Sequence, residues 1–247
     1  MIQALMYLSS SERIVEMEGE KIKSIAIFLL VVIVGFSLFV LTQIPFQIGM
    51  FGGYKGVSLT LIGLLQAIMI IPLLYVGLKA LKMNFKKIGL TSFKWKRDSL
   101  LGIAVALGWA VVQFVWIIPN TGGASREDIS EILTMLEYSW INVLWYLPLG
   151  IIGGGIVEEL YNRGFFIGAL TGIFKDSRLV LYIASALSIT FFAAGHIPRD
   201  FVEWMDLLIP STAYTILYLY TKRLTASMVA HGLWNSIVVL LVMIIYA

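Results

Sequence analysis

The stretch PLGIIGGGIVEELYNR, residues 148–163, decides how the chain is read. Apolar and glycine residues run unbroken from Pro148 to Val157, Glu158 and Glu159 follow at once, and Arg163 comes one helical turn later. The sequence then turns apolar again as far as Phe174. Three charges thus sit inside a segment long enough to cross a bilayer, which takes about 20 mainly apolar residues. Ionisable groups at that depth cost at least about 2.5–3.5 kcal/mol each on insertion scales, so they pair, line a watery hollow, or do both.

The rest of the chain supplies the setting. Of its 247 residues 59% are hydrophobic and 13% charged, and the mean hydropathy is +0.89. A soluble domain is nearer half apolar and a quarter charged, so this surface is built to face lipid. Seven stretches approach spanning length: 24–44, 57–81, 99–118, 145–173, 180–197, 205–221 and 224–246. The fourth, which holds the opening motif, has an indistinct start near Pro148, and an eighth, partly inserted segment stays open. With no internal repeat, the chain reads as one membrane domain, 1–247. Residues 1–23 form an N-terminal cytoplasmic segment, and 148–246 carry the chemistry. The fold class is all-α: a polytopic transmembrane helix bundle of about seven spans around an intramembrane polar cavity.

Charge adds direction. A net charge of +3 and a pI near 9.0 suit juxtamembrane basic residues between apolar runs, not a nucleic-acid surface. Cysteine is absent, which removes disulfides, thiolate nucleophiles and Cys-based metal sites. Residues Met1 to Ser24 carry Glu12, Glu16, Glu18 and Glu20 without the ordered regions of a signal peptide, so the first run reads as an uncleaved anchor. With an inside N-terminus and alternating spans, only Lys55, Arg126 and Arg199 among the loop cations fall outside. That bias predicts N-in, C-out. Between the third and fourth spans, Ile129, Ile132, Leu133 and Leu136 recur at helical spacing after a Ser125/Asp128 capping box. They predict an interfacial helix within 120–139, either a connector or a lid over the substrate path.

The buried ionisable groups gather in the C-terminal part of the chain: Glu158, Glu159, Arg163, His196 and His231. On a helix Glu159 and Arg163 stand at i and i+4, placed for an ion pair, while Glu158 lies about 100° around the axis. Phe192 with His196, and His231 with Asn235, share faces by the same rule. Three helices can therefore turn Glu158, His196, and His231 with Asn235 toward one cavity. Such a set suits hydrolysis: a carboxylate accepts a proton from water, an imidazole polarises or relays, and the remaining donors hold an oxyanion. Each residue also has a plainer reading. The two glutamates suit a solvated helix end, His196 an interfacial cap before Pro198, His231 with Asn235 an interhelical hydrogen-bonding pair, and Phe192 simple packing.

At these residues the chain resembles the CAAX-protease and bacteriocin-processing family, also called the Abi family or type II CAAX prenyl endopeptidases. Glu158-Glu159-Leu160-Tyr161-Asn162-Arg163 matches its Glu-Glu-x-x-x-Arg motif, Phe192 to His196 its Phe-x-x-x-His, and His231 to Asn235 its His-x-x-x-Asn, in the family's order. The resemblance covers about Pro148 to Tyr246. It implies an intramembrane endopeptidase whose substrate is a membrane-associated peptide or a lipidated C-terminal tail, and the compactness of the chain suggests a bacterial or archaeal cell membrane. Glu158 would activate water with His196, His231 and Asn235 would stabilise the oxyanion, and Glu159, Arg163 and Phe192 would hold the geometry. It implies no cofactor, although Glu158, His196 and His231 are also a ligand set that zinc accepts. A proton- or ion-relaying transporter and an inactive peptide-binding immunity protein are the rival functions.

One expectation concerns depth. A fifth span starting at Arg178 carries His196 to the membrane face opposite its start, away from Glu158. Either that helix starts near Ala184, or residues 196–209 re-enter as broken structure lining the cavity.

Overall fold

The structure, a computed structural model, describes residues 10–247; the first nine residues of the expected N-terminal segment lie outside the described residues. Six helices are long and apolar enough to cross a membrane. Helix α1, Ser10–Leu41, continues the charged residues Glu18 to Lys23 directly into the first span, and a turn at Ile44–Gln47 leads to α2, Val57–Ala80. Helix α3, Trp95–Asn120, is followed by the short α4, Glu127–Leu136. Helix α5, Trp140–Ile173, is 34 residues long, starts eight residues before Pro148, and contains the opening motif. Helix α6, Arg178–Gly195, α7, Phe201–Thr221, and α8, Thr225–Tyr246, complete the bundle.

Helix α7 corresponds to the expected stretch 205–221 but is not among the six apolar spans. It carries Glu203 and Asp206 near its start and buries Ser211, Tyr214 and Thr215, so its polar side faces protein. The expected depth problem resolves differently from both options. Helix α6 does begin at Arg178, not near Ala184, and the irregular stretch is confined to 196–200, because α7 is already helical at Phe201. The Asp200 side chain caps α7 by accepting from the Glu203 backbone N–H at 2.9 Å, which explains the early restart.

Among the apolar clusters that hold the bundle, two position the site. One joins α1, α2 and α5 through Phe28, Val31, Ile70, Leu74 and Phe165, and a Phe28–Phe165 stack at 5.7 Å adds to it. The other seats α4 on α8: Ile129, Leu133 and Leu136 are buried against Val239, Val242 and Met243. Each such side chain contributes about 1.5–3 kcal/mol when withdrawn from water, which is why α4 lies flat on the bundle. The Ser125/Asp128 capping box does not form. Arg126 occupies the cap position without a side-chain cap bond, and Asp128 instead accepts from its guanidinium at 2.8 and 2.9 Å.

Candidate active site

Helix α5 is α-helical only at its ends. Residues Leu149–Glu158 and Leu160–Ala169 follow the wider π-helical path, in which i→i+5 hydrogen bonds replace i→i+4. A wider turn reduces the angle between neighbouring side chains, so Glu158 and Glu159 diverge less than on an α-helix and both reach α8. The glycines make room for this. A Cβ on Gly154 would stand 2.2 Å from Asn235 Nδ2, and one on Gly155 would stand 2.7 Å from the Gly232 Cα. Gly154 and Gly155 therefore form a small-residue seam for α8, backbone to backbone at Gly155, while Gly153 faces Gln66 and Gly63 of α2.

Behind this seam lies a closed polar knot. Glu159 and Arg163 are wholly buried and pair at 2.8 Å. The same Glu159 oxygen meets His231 Nδ1 at 3.0 Å, and the Arg163 guanidinium donates to the Ser211 hydroxyl at 2.6 Å and its carbonyl at 3.0 Å. The cation also lies over the Phe192 and Tyr214 rings, at 4.9 and 5.6 Å, and Tyr214 stacks on His231 at 4.9 Å. Four helices, α5 to α8, meet in this knot. His231 is thereby bonded to Glu159, where the α-helical spacing had turned Glu159 away toward Arg163 alone. Its other nitrogen, Nε2, lies 3.9 Å from Glu158 Oε2, beyond hydrogen-bond reach.

In front of the knot is a cavity of about 540 Å³ whose lining includes Glu158, His196, His231 and Asn235. His196 terminates α6 on the exposed side, with Nδ1 2.8 Å from the Phe192 carbonyl. A carbonyl only accepts, so Nδ1 carries the proton and Nε2 of the neutral ring keeps its lone pair. Phe192 separates the two imidazoles, 4.5 Å from His196 and edge-on to His231 at 5.6 Å. The following residue, Ile197, has φ +54°, a left-handed conformation that β-branched side chains rarely adopt and that stops the helix just after the histidine. Asn235 donates to the Gly150 carbonyl at 3.1 Å, so α8 is pinned to α5 at the cavity wall.

Glu158, His196 and His231 are not grouped as zinc ligands. His231 is committed to Glu159, His196 faces the Phe192 carbonyl, and among the described residues no three His, Asp or Glu side chains are placed to share a metal. Other lining residues carried no sequence motif. Gln66 of α2, Tyr54 of the 48–56 loop, Tyr146 of α5 and Asp206 of α7 all reach the cavity. Gln66 had a readable signal, a carboxamide in mid-span; the rest depend on the packing of distant segments. Burial, with the Glu158 charge adding to it, pushes the Tyr54 phenol up to about 12, so it remains a donor at neutral pH. The cavity rim is stapled by ions: Arg126 pairs with Asp128 and Asp206, Arg199 with Glu127, Glu131 and Glu203, and Lys55 with Glu137.

Comparison with known proteins agrees with the motifs. Two curated relatives are each 26% identical: the membrane-embedded CAAX protease MroQ of Staphylococcus aureus over 58% of this chain and 56% of its own length, and the UPF0177 protein YvdC of Lactococcus lactis over 54% and 50%. The chain thus spans about half the length of the curated relatives it matches. No solved structure matches it. The family model for Rce1-like type II CAAX prenyl endopeptidases matches residues 140–237, a region that contains all three motifs and the helices that carry them. Over that region the chain is similar to the Rce1-like CAAX protease family, a likeness that supports a membrane protease function in general terms.

Proposed function

We propose that the protein is an intramembrane endopeptidase that hydrolyses a peptide bond of a membrane-associated or lipidated substrate, with Glu158 and His196 activating water. The observation that carries this reading is the shared lining of one cavity by Glu158 of α5, His196 at the end of α6, and His231 and Asn235 of α8. Glu158 is one-fifth exposed, enough to meet water, while Glu159 is sealed away. The two adjacent carboxylates therefore divide the work: one faces solvent and reacts, the other holds Arg163 and His231.

In the proposed reaction, water lies between Glu158 and the free Nε2 of His196. Its oxygen adds to the carbonyl carbon as its proton passes to Glu158. The oxyanion develops beside the Asn235 amide and His231 Nε2. With Nδ1 held on ionised Glu159, His231 can donate from Nε2 only with both ring protons in place, and Glu159 offsets that charge. The C–N bond then breaks, Glu158 returns its proton to the departing nitrogen, and a carboxylic acid and an amine remain. The basic bias of the opposite end of the bundle supports N-in orientation, which opens the cavity mouth, at the 48–56 and 196–200 segments, away from the cytoplasm.

The test is cleavage of internally quenched apolar peptides by the protein in liposomes, comparing wild type with Glu158→Ala, His196→Ala and His231→Ala, with and without a zinc chelator. Near-total loss in each variant and indifference to the chelator are expected. Activity retained in Glu158→Ala removes it as the base, and chelator-sensitive activity replaces this mechanism with a metal-based one.

A further inference from the structure

Polar side chains within membrane-spanning helices are expensive, and each calls for a partner. Most carboxamides around the cavity have one. Asn162 donates to the Glu158 carbonyl at 3.0 Å, Asn235 to the Gly150 carbonyl at 3.1 Å and Gln43 to the Phe39 carbonyl at 3.1 Å. Gln66, near the middle of α2, is the exception. It is only 3% exposed and lines the same cavity as Glu158, and its Oε1 has no hydrogen-bond partner among the described residues. That oxygen is turned onto Gly153, where an added Cβ would stand 2.6 Å from it. With the oxygen sealed against α5, the amide nitrogen is the end left for the cavity.

Location gives the group a role. Gly153 faces Gln66, and its neighbour Gly154 faces the reactive side of α8: a Cβ there would stand 2.2 Å from Asn235 Nδ2 and 3.5 Å from His231 Nε2. Consecutive Cα atoms are about 3.8 Å apart, so the Gln66 carboxamide lies within about 12 Å of the Asn235 amide. Extended peptide covers that distance in about three residues, at ~3.3–3.6 Å each. We propose that Gln66 is a substrate-positioning residue, whose Nε2 donates to a backbone carbonyl of the peptide within about three residues of the cleaved bond. This rests on the protease reading and adds to it a contact from a helix outside the matched region 140–237.

A plain packing role fits the group poorly. A polar residue that joins helices does so by bonding across them, and the Gln66 oxygen bonds to nothing among the described residues. Methionine would fill the same space without burying an unpaired amide, which costs stability. A peptide backbone supplies what is missing, because every residue carries a carbonyl that an amide N–H recognises whatever the side chain. Holding one carbonyl at a fixed distance from Glu158 also sets the register, and so which peptide bond meets the activated water.

The experiment compares full-length wild type with Gln66→Met on an apolar fluorescent peptide and on a series in which each backbone amide near the cleaved bond is replaced in turn by a trans-alkene. The alkene removes the carbonyl and keeps the extended geometry. Binding is read apart from turnover by anisotropy on Glu158→Gln protein, with and without Gln66→Met. Gln66→Met is expected to raise KM about tenfold, equivalent to about 1.4 kcal/mol, with kcat within about twofold. Its melting temperature should stay level or rise, and mass spectrometry should show cleavage spreading to neighbouring bonds. One alkene position is expected to weaken binding by a similar factor with Gln66 present and to weaken it no further in Gln66→Met, the coupling of a direct contact. An unchanged KM, a lower melting temperature in Gln66→Met, or an alkene series that reads alike in both proteins overturns the proposal. Coupled binding without any cleavage by wild type counts against the protease reading alone and leaves Gln66 as a peptide contact. Cleavage without the coupling removes Gln66 alone, and failure of every peptide both to bind and to be cleaved removes both.

Discussion

The two neighbouring glutamates of α5 have opposite fates. Glu159 belongs to a region closed to solvent: its Oε1 meets Arg163 and His231 Nδ1, Arg163 in turn donates to the Ser211 oxygens, and both Glu159 and Arg163 are fully buried. Glu158 belongs to a region left open, one-fifth exposed and facing a cavity with His196 at its mouth. A buried ion pair rarely adds net stability against an apolar substitute, but removing one member leaves an uncompensated charge. The closed region is best understood as a rigid frame, and the open one as the place where a partner is still to come.

That contrast breaks most forcibly at Arg163. Arg163→Ala is expected to destabilise the protein by about 3–5 kcal/mol, read as a large fall in melting temperature in detergent, because Glu159 is left buried and unpaired. Glu158→Gln is expected to do the reverse. It should leave the melting temperature unchanged and reduce peptide cleavage by a factor on the order of 10³, within the range for loss of general-base catalysis. If both variants melted alike, the division between frame and reactive group would fall.

Gly154→Ala sharpens the comparison at the boundary. Its methyl would collide with the Asn235 amide, so a drop in turnover is expected together with a stability loss of about 1–3 kcal/mol from overpacking, and Asn235→Ala recovers part of the stability, not the turnover, by making room. The smallest effect belongs to the rim. The hydrogen bond from Lys55 holds the Glu137 carboxyl below its usual range, so this tie is present above the ordinary carboxylate pKa and is lost as pH falls through the lowered value. Acidification should therefore raise proteolytic nicking of the 48–56 loop in wild type. Glu137→Gln should show that nicking at neutral pH already, with little change in melting temperature, as expected for an exposed pair.

Much of this arrangement was legible beforehand. The bounds of α2, α6 and α8 lie within two residues of the expected runs 57–81, 180–197 and 224–246, because bilayer thickness imposes a length that composition reveals. The Glu159–Arg163 pair followed from i,i+4 spacing and survives the local widening of the helix. The amphipathic stripe of α4 was equally readable, since Ile129, Leu133 and Leu136 recur at one-turn intervals. The capping box failed because Asp128 found a stronger, charge-assisted partner in Arg126.

What the chain determined by itself was therefore which segments lie in lipid and which few side chains resist being there, since both follow from local composition and period. Only the tertiary structure decided that His231 binds Glu159, that Gln66, Tyr54 and Asp206 join a cavity assembled around Glu158, and that the rim cations are already taken. The physical reason is that hydrogen bonds and ion pairs between residues tens of positions apart depend on helix rotation and close approach. Here a glycine seam and a widened turn set both, and neither leaves a periodic trace in the sequence.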